Sequence, residues 1–300
     1  MVNKFLNKEN RGALEVCAGG TIWGTIGLFI IQLNNCGADS MLISFLRMAF
    51  AFIIMLVITI AKFGIKALKV DLSTLLSCAM LGLVCHGIYN VLYSLAVVKT
   101  GVAISAVLLN VAPVFTAAAS VILFSEKINA RKAAALTVNV LGCIIAVTGG
   151  KLSLEGMSAA GILFGTLAGF CYSLTAIFGR IAGNKIHTFV MSTYSYLFAA
   201  LFLALSIKPM GSSVNLNMGM LIWGFLYALI PTAIAYIFYY NGVKKITESS
   251  RVPVYASAET VAAAVLGIVV CGERLGLINI IGIIMVIASI LFMNVTKKKV

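Results

Sequence analysis

Ten long apolar segments dominate this 300-residue sequence. A helix needs about 20 apolar residues to cross the hydrocarbon core of a bilayer, and each segment is close to that length or longer. Strands of a membrane β-barrel would instead alternate polar and apolar residues over about ten positions. The sequence therefore predicts an all-α integral membrane protein with ten transmembrane helices and no separate soluble domain. We number them spans 1 to 10, at residues 12–33, 40–61, 73–97, 102–124, 131–149, 157–179, 188–207, 218–241, 250–270 and 277–295.

The composition excludes a water-soluble enzyme and argues against a nucleic-acid-binding protein. Hydrophobic residues make up 61% of the chain and charged residues only 10%, whereas soluble proteins are about half apolar and a quarter charged. The net charge is +13, but the basic residues stand in short groups between the spans and form no dense basic face. Such groups are typical of topology signals and of contacts with anionic lipid.

The distribution of basic residues predicts that both termini are cytoplasmic. With the N-terminus inside, the inner segments carry 17 of the 22 Lys and Arg residues, and the outer segments carry four. The remaining one, Arg47, lies within span 2. Cytoplasmic loops of membrane proteins carry this excess of positive charge. The bias therefore supports an even number of crossings.

The sequence also contains a weak internal repeat. At an offset of 147, residues 124–128 align with residues 271–275, and Tyr93 aligns with Tyr240. The repeat predicts two five-helix units, residues 1–150 and 151–300. Because five is odd, the second unit would be inserted upside down, which is a building plan of secondary transporters with a substrate site near the midplane. The alternative is that apolar sequence matches itself by chance.

The order of motifs resembles the EamA branch of the drug/metabolite transporter superfamily. The motifs are Ile22-Trp23-Gly24, Phe45-Leu46-Arg47, Tyr93-Ser94-Leu95-Ala96, Ala112-Pro113-Val114, Phe124-Ser125-Glu126-Lys127-Ile128 and Cys271-Gly272-Glu273-Arg274-Leu275. The resemblance implies ten helices, cytoplasmic termini and a central cavity lined mainly by spans 1, 3, 4, 6, 8 and 9. This chain departs from the family at Ser125, where the family has the first glycine of a Gly-Glu step. It also departs at Thr260, where members often have proline after a glutamate.

Two charged residues lie deep within predicted spans. Glu259 is at the middle of span 9, and Arg47 is eight residues into span 2. Charged groups inside a membrane are costly and are functional candidates by default. Binding a proton or a cation would remove that cost at Glu259, so we interpret it as a substrate-binding and proton-coupling residue; a neutral acid hydrogen-bonded to a neighbouring helix is the alternative. For Arg47 we expect a gating or structural role, with its side chain close enough to the outer surface to snorkel.

Polar and aromatic residues within the spans complete the predicted substrate site. His86 and Asn90 lie four residues apart on one face of span 3. Trp23, Tyr89 and Tyr236 can form an aromatic wall for an apolar ring or an organic cation. Plain helix packing is the alternative for all of them. The predicted substrate-binding residues are Trp23, His86, Tyr89, Asn90, Tyr93, Asn110, Tyr236 and Glu259.

Three prolines lie within predicted spans: Pro113, Pro231 and Pro253. Proline frees a backbone carbonyl and allows a kink where neighbours or water satisfy that group. We interpret them as gating or structural positions.

Taken together, these features predict a carrier and no enzyme. The sequence has no H-E-x-x-H, G-x-S-x-G or P-loop motif, and we expect no cofactor and no metal site. The leading hypothesis is a secondary-active carrier of a small metabolite (an amino acid, an amine or a related compound, exported) in the plasma membrane. It would work by alternating access, with protons and membrane lipids as possible further partners and no nucleic acid. A non-transporting scaffold or sensor and a membrane-embedded lipid-modifying enzyme remain open alternatives.

Overall fold

The computed structural model describes residues 8–151, 158–208, 216–271 and 276–294, and these residues form helices and connecting turns without strands. Nine of the helical segments in these ranges are long and apolar enough to cross a membrane. They are Lys8–Asn35, Ser40–Phe63, Leu72–Gly101, Ile104–Phe124, Ala130–Thr148, Ala159–Gly183, Thr188–Ile207, Met218–Val243 and Ser249–Val270, and a shorter apolar helix, Leu277–Met293, corresponds to span 10.

Short polar side chains set where several spans begin. Asp39 precedes span 2 and accepts hydrogen bonds from the backbone N–H groups of Met41 and Leu42. Asp71, Asn129 and Asn217 each accept a backbone N–H bond in the same way at the start of spans 3, 5 and 8. Such residues satisfy N–H groups that have no partner within the helix. At Asp71, the hydrogen bonds from Thr74 lower the pKa of the carboxyl.

Among the described residues five spans are interrupted, and four of the interruptions recur with the period of the repeat. Span 3 contains a π-helical turn at Leu83–Ile88, and span 8 contains one at Leu229–Ile234, 146 residues later. Span 4 is broken at residues 110–111, before the helix Ala112–Phe124. Span 9 is broken at Ser257, between the helices Val252–Ala256 and Ala258–Cys271. Span 1 is also broken, at residues 24–25, whereas span 6 is the single helix Ala159–Gly183, so four of these five interruptions have a counterpart in the other half.

The packing of the spans follows the same symmetry. Spans 1 and 8 pair as spans 6 and 3 do, while span 2 packs on span 7 and span 5 packs on span 10. A Cβ added at Gly20 of span 1 would lie 2.4 Å from the carbonyl oxygen of Ala256, and one at Gly169 of span 6 would lie 3.0 Å from that of Leu108 and 3.6 Å from the Cα of Leu109. Glycine lets the backbones approach this closely. The two halves therefore use equivalent contacts to hold each other.

The described parts of the basic segments predicted to be cytoplasmic come together at one end of the helix bundle, which we call the basic end. Span 1 is joined there to the connector after span 8 by the Glu15–Lys245 ion pair. The start of span 5 is joined to the start of span 9 by the Lys132–Glu248 pair, at 2.5 Å. Away from the basic end, the sides of the bundle are apolar. Residues such as Ile122 and Leu205 are nearly four-fifths exposed there. Exposed side chains of this kind suit a surface covered by acyl chains.

Candidate substrate-binding site

A cavity of about 620 Å³ lies between the two halves. It extends from the middle of the bundle toward the end opposite the basic end, because Ile31, Val147 and Asn279 line it near the ends of spans 1, 5 and 10. Toward the basic end its lining stops at residues such as Thr116 and Pro253. The cavity is therefore a one-sided pocket and not a channel through the protein.

Glu259 lies on the wall of this cavity, two residues after the break in span 9. Its side chain is partly exposed to the cavity. Within the described ranges its carboxylate accepts no hydrogen bond and forms no ion pair closer than 4 Å. A carboxylate without a protein partner at this depth is available to a proton or to a cationic group of a ligand.

Arg47 lines the same cavity from span 2. Its Nε donates to the hydroxyl of Thr232 at 2.8 Å, and its Nη1 donates to the hydroxyl of Tyr227 at 3.3 Å. Thr232 belongs to the π-helical turn of span 8 and itself donates to the carbonyl of Tyr227. Only 7% of Arg47 is exposed, so the prediction that it snorkels to the outer surface is wrong. Its hydrogen bonds to span 8 hold it in the interior instead.

Aromatic rings form much of the remaining wall. Trp23 packs against Tyr236 and Tyr239, with ring centroids 4.8 and 5.0 Å apart. Tyr89 packs against Tyr93 at 5.9 Å and against Tyr172 at 5.5 Å. All six residues line the cavity. The indole N–H of Trp23 is buried without a hydrogen-bond partner among the described residues.

Three of the predicted site residues do not line the cavity. His86 lies in the π-helical turn of span 3, is 1% exposed, and shares a hydrogen bond of 3.2 Å with the hydroxyl of Tyr240. Asn90 donates to the carbonyl of His86 and accepts from the hydroxyl of Ser44 at 3.2 Å. Pro231 is buried in the other π-helical turn. These three residues are packed between the spans instead.

The wall also includes residues at the two broken spans and residues that sequence reasoning missed. Asn110 and Pro113 lie at the break in span 4, and Pro253 lies just before the break in span 9. Span 5 contributes Asn139 and Cys143, although the family resemblance does not include span 5 among the lining elements. The spacing of small residues in span 5 indicates a helix contact, and only the packing shows that its other face borders the cavity.

Asn139 fixes span 9 next to Glu259. Its side-chain amide donates to the hydroxyl of Ser257 at 2.6 Å and to that of Ser289 at 2.9 Å. Ser257 is the residue at the break in span 9, so the amide ties spans 5, 9 and 10 together at that point. The position of Glu259 therefore depends on a neighbour that its own sequence segment does not reveal.

Within the described ranges, no group of three or more His, Cys, Asp or Glu side chains could hold a metal ion. The second histidine, His187, lies outside the cavity at the start of span 7. Burial and the nearby Lys244 and Lys62 lower its pKa, so we expect it to be neutral at pH 7.

Comparisons with known proteins agree with this architecture. A model described as the EamA-like transporter family matches the chain twice, at residues 10–148 and 159–295. An uncharacterized transporter of Archaeoglobus fulgidus is 25% identical over 281 residues, which cover 93% of this chain and 95% of the relative. YetK of Bacillus subtilis, also an uncharacterized transporter, is 28% identical over 202 residues, 65% of this chain and 60% of the relative.

The fold is also that of a protein of known structure. A crystal structure with 16% sequence identity matches 94% of this chain and 96% of its own with a TM-score of 0.81. At that identity the likeness shows the fold alone. The two family matches together cover most of the sequence and, with the apolar helices, make this a multi-pass membrane protein. The chain therefore belongs to the EamA-like transporter family.

Proposed function

We propose that this transporter is a secondary carrier for a small metabolite that bears both an amino group and a carboxylate, such as an amino acid. In this proposal span 10 also crosses the membrane, both termini are cytoplasmic, and the second half is inverted relative to the first. The cavity then faces the outside, and the carrier exports its substrate by exposing the site to one side at a time.

One observation carries the choice of substrate: Arg47 and Glu259 line the same cavity without pairing with each other. The Nε and Nη1 atoms of Arg47 bond to hydroxyl groups, while its Nη2 has no acceptor among the described residues. Two opposite charges that remain separate in a membrane interior are costly. A ligand with a carboxylate for Arg47 and an ammonium group for Glu259 would satisfy both at once.

The aromatic wall suits the remainder of such a ligand. Trp23, Tyr236 and Tyr239 present ring surfaces to the cavity, and these pack well against an apolar side chain or a ring. An amine without a carboxylate would leave Arg47 unmatched, and a carboxylate without an amine would leave Glu259 unmatched. The presence of both Arg47 and Glu259 therefore favours an amino acid over a simple amine, which the sequence also allows.

Glu259 supports coupling to a proton gradient. A proton and a substrate ammonium group would compete for its carboxylate, and that competition couples their movements. The sequence has no P-loop for nucleotide binding, so a gradient or the substrate's own concentration would supply the driving force.

The cavity also bears on the alternatives. A scaffold or sensor needs no polar pocket at mid-height, whereas a carrier requires one. The pocket here holds two charged groups whose side chains the fold directs inward. A lipid-modifying enzyme would need reactive groups clustered near an interface, and the two charges lie at mid-depth instead.

The substrate can be tested with matched ligands on the purified protein. Each set contains an amino acid, the amine that lacks its carboxylate, and the acid that lacks its amino group. We expect the amino acid to raise the melting temperature most, since a ligand at 100 times its Kd stabilises by about 2.7 kcal/mol. Arg47→Gln should abolish the preference over the amine, and Glu259→Gln the preference over the acid.

Coupling can be tested by uptake into proteoliposomes. Glu259→Gln should abolish the dependence of uptake on a pH gradient while expression stays normal. Glu9→Gln serves as the control because Glu9 lies at the basic end, remote from the cavity. Equal shifts by an amino acid and its amine would refute the substrate class, and an unchanged pH dependence in Glu259→Gln would remove Glu259 from coupling.

A further inference from the structure

Glu126 makes an unusually complete set of contacts at the basic end. Its side chain is only 6% exposed, whereas the other carboxylates in ion pairs among the described residues are 18% to 32% exposed. Oε1 accepts from the backbone N–H of Ser249 at 2.7 Å and from Nη1 of Arg180 at 3.0 Å. Oε2 accepts from the N–H and the hydroxyl of Ser250, at 3.2 and 2.8 Å. These four bonds satisfy a charge that would otherwise be costly to bury.

The contacts join three spans from the two halves of the chain. Glu126 follows span 4, Arg180 is near the end of span 6, and Ser249 and Ser250 begin span 9. Arg180 also donates to the hydroxyl of Ser249 at 2.9 Å, and its guanidinium lies 4.4 Å from the ring centroid of Phe124. We call these residues, Phe124, Glu126, Arg180, Ser249 and Ser250, the Glu126 cluster.

The Glu126 cluster lies beyond the closed end of the cavity. Thr116 of span 4 lines the cavity and donates to the carbonyl of Ser173 in span 6. Ser120 lies one turn farther toward the basic end; it is fully buried, and its hydroxyl has no partner among the described residues. The protein between the cavity and Glu126 is therefore packed shut but contains a polar group that is not satisfied in this state.

Two of the three spans that the cluster joins, spans 4 and 9, are broken at mid-depth. The helix Ala112–Phe124 follows the break at 110–111 in span 4, and the helix Val252–Ala256 precedes the break at Ser257 in span 9. The basic-end portions of spans 4 and 9 can turn about these breaks with little loss of helical hydrogen bonding. While Glu126 holds them to each other and to span 6, they cannot separate.

We propose that the Glu126 cluster is the latch that keeps the cavity closed toward the basic end, and that its bonds must break before the cavity can open there. This role rests on the alternating access of the proposed function. It assigns a gating role to Glu126 and Arg180, beside the gating or structural role predicted for the prolines and Arg47. Separation of spans 4 and 9 would bring water to Ser120 and satisfy its hydroxyl.

The test uses Ser120→Cys as a reporter of opening in the full-length, purified protein. A hydrophilic maleimide is added, and labelling is followed for each cysteine by peptide mass spectrometry. We expect slow labelling of the cysteine at position 120 in the otherwise unchanged protein. Adding Glu126→Gln removes the charge from the latch and should raise the rate by about tenfold to a hundredfold, the range for one charge-assisted hydrogen bond.

Two controls keep the outcome decisive. Glu9→Gln removes a carboxylate from the same end, where Glu9 contacts Arg251 only at 3.4 Å, and should change the rate less than twofold. Native Cys78 is fully buried in span 3, so its labelling reports general loosening. Ser250→Ala deletes a single bond of the latch and should give a smaller increase in the same direction if Glu126→Gln does not fold.

The latch is overturned if position 120 stays protected in both Glu126→Gln and Ser250→Ala, or if Cys78 becomes labelled as fast as position 120. Neither result depends on the substrate. A latch that fails this test while the protein still transports amino acids would leave the proposed function intact. Conversely, opening in Glu126→Gln without binding or uptake of any tested amino acid would support the latch and count against the proposed substrate.

Discussion

At the scale of single residues, Ser125 shows how a departure from a family pattern is tolerated. The resemblance places glycine at this position, and Ser125 has φ +52° and ψ +33°, the only positive φ of a non-glycine residue in the described ranges. Glycine adopts this left-handed conformation without strain, whereas an L-residue with a side chain does not. The turn is required because it directs Glu126 back toward Arg180 and span 9.

We therefore expect Ser125→Gly to stabilise the folded protein. The left-handed conformation costs a non-glycine residue roughly 1–2 kcal/mol, and part of that gain is offset by the greater freedom of glycine in the unfolded chain. The net effect should be a rise of one to a few degrees, roughly, in the melting temperature in detergent. Ser125→Ala keeps the backbone strain, so its melting temperature should not rise. A lower melting temperature for Ser125→Gly would contradict this account.

The residue scale also shows which site predictions need the structure. Depth in the span selects Glu259, and it lines the cavity. Helical spacing selects His86 and Asn90 together because they are four residues apart, but neither residue lines the cavity. Span 3 changes to a π-helical turn at Leu83–Ile88, and each added residue rotates a helix by about 100°. Helical spacing beyond such a turn no longer predicts the face that a residue occupies.

At the scale of elements, the helices are held together by close contacts at glycine. Span 5 crosses span 10 at Gly142 and Gly282, where the backbones meet. A Cβ on Gly282 would lie 2.3 Å from the backbone nitrogen of Ala146 and 2.8 Å from the carbonyl oxygen of Gly142. Both contacts involve backbone atoms, which cannot move aside without separating the two helices.

This contact predicts a large difference between two similar substitutions. Gly282→Ala should destabilise the protein by about 1–3 kcal/mol, the usual cost of overpacking. Gly27→Ala should be neutral or stabilising by up to about 1 kcal/mol, because nothing lies within 4 Å of its Cβ and alanine favours the helix. Thermal unfolding of the two variants in detergent compares them directly. Equal melting temperatures would show that the crossing is less tight than described.

At the scale of the whole molecule, the contacts bring the predicted inner segments together. Glu15–Lys245, Lys132–Glu248 and the Glu126 cluster all lie at the basic end. The cavity lies toward the other end, and equivalent interruptions recur in the two halves. This arrangement is the one expected when alternate connectors carry the positive charge, and it accords with the proposed inverted repeat.

The proposed topology predicts that both termini remain in the cytoplasm, which requires that span 10 crosses the membrane. A green fluorescent protein fused to the C-terminus should fluoresce in a bacterial host, and an alkaline phosphatase fusion at the same place should be inactive. A second pair of fusions after residue 270 should give the opposite pattern. Phosphatase activity at the C-terminus would mean that span 10 does not cross.

The sequence by itself determined that this is a membrane protein, which family it resembles and where its spans lie. Apolar length, basic connectors and local motifs are properties of contiguous residues. The sequence also identified Glu259, since a carboxylate in the middle of an apolar segment is conspicuous without any coordinates. The tertiary structure decided that Arg47 bonds to Thr232, that span 5 borders the cavity and that Glu126 joins spans 4, 6 and 9. Those contacts link residues up to 185 positions apart. Which face of a helix meets which neighbour depends on the packing of the whole bundle, and no local pattern in the sequence records it.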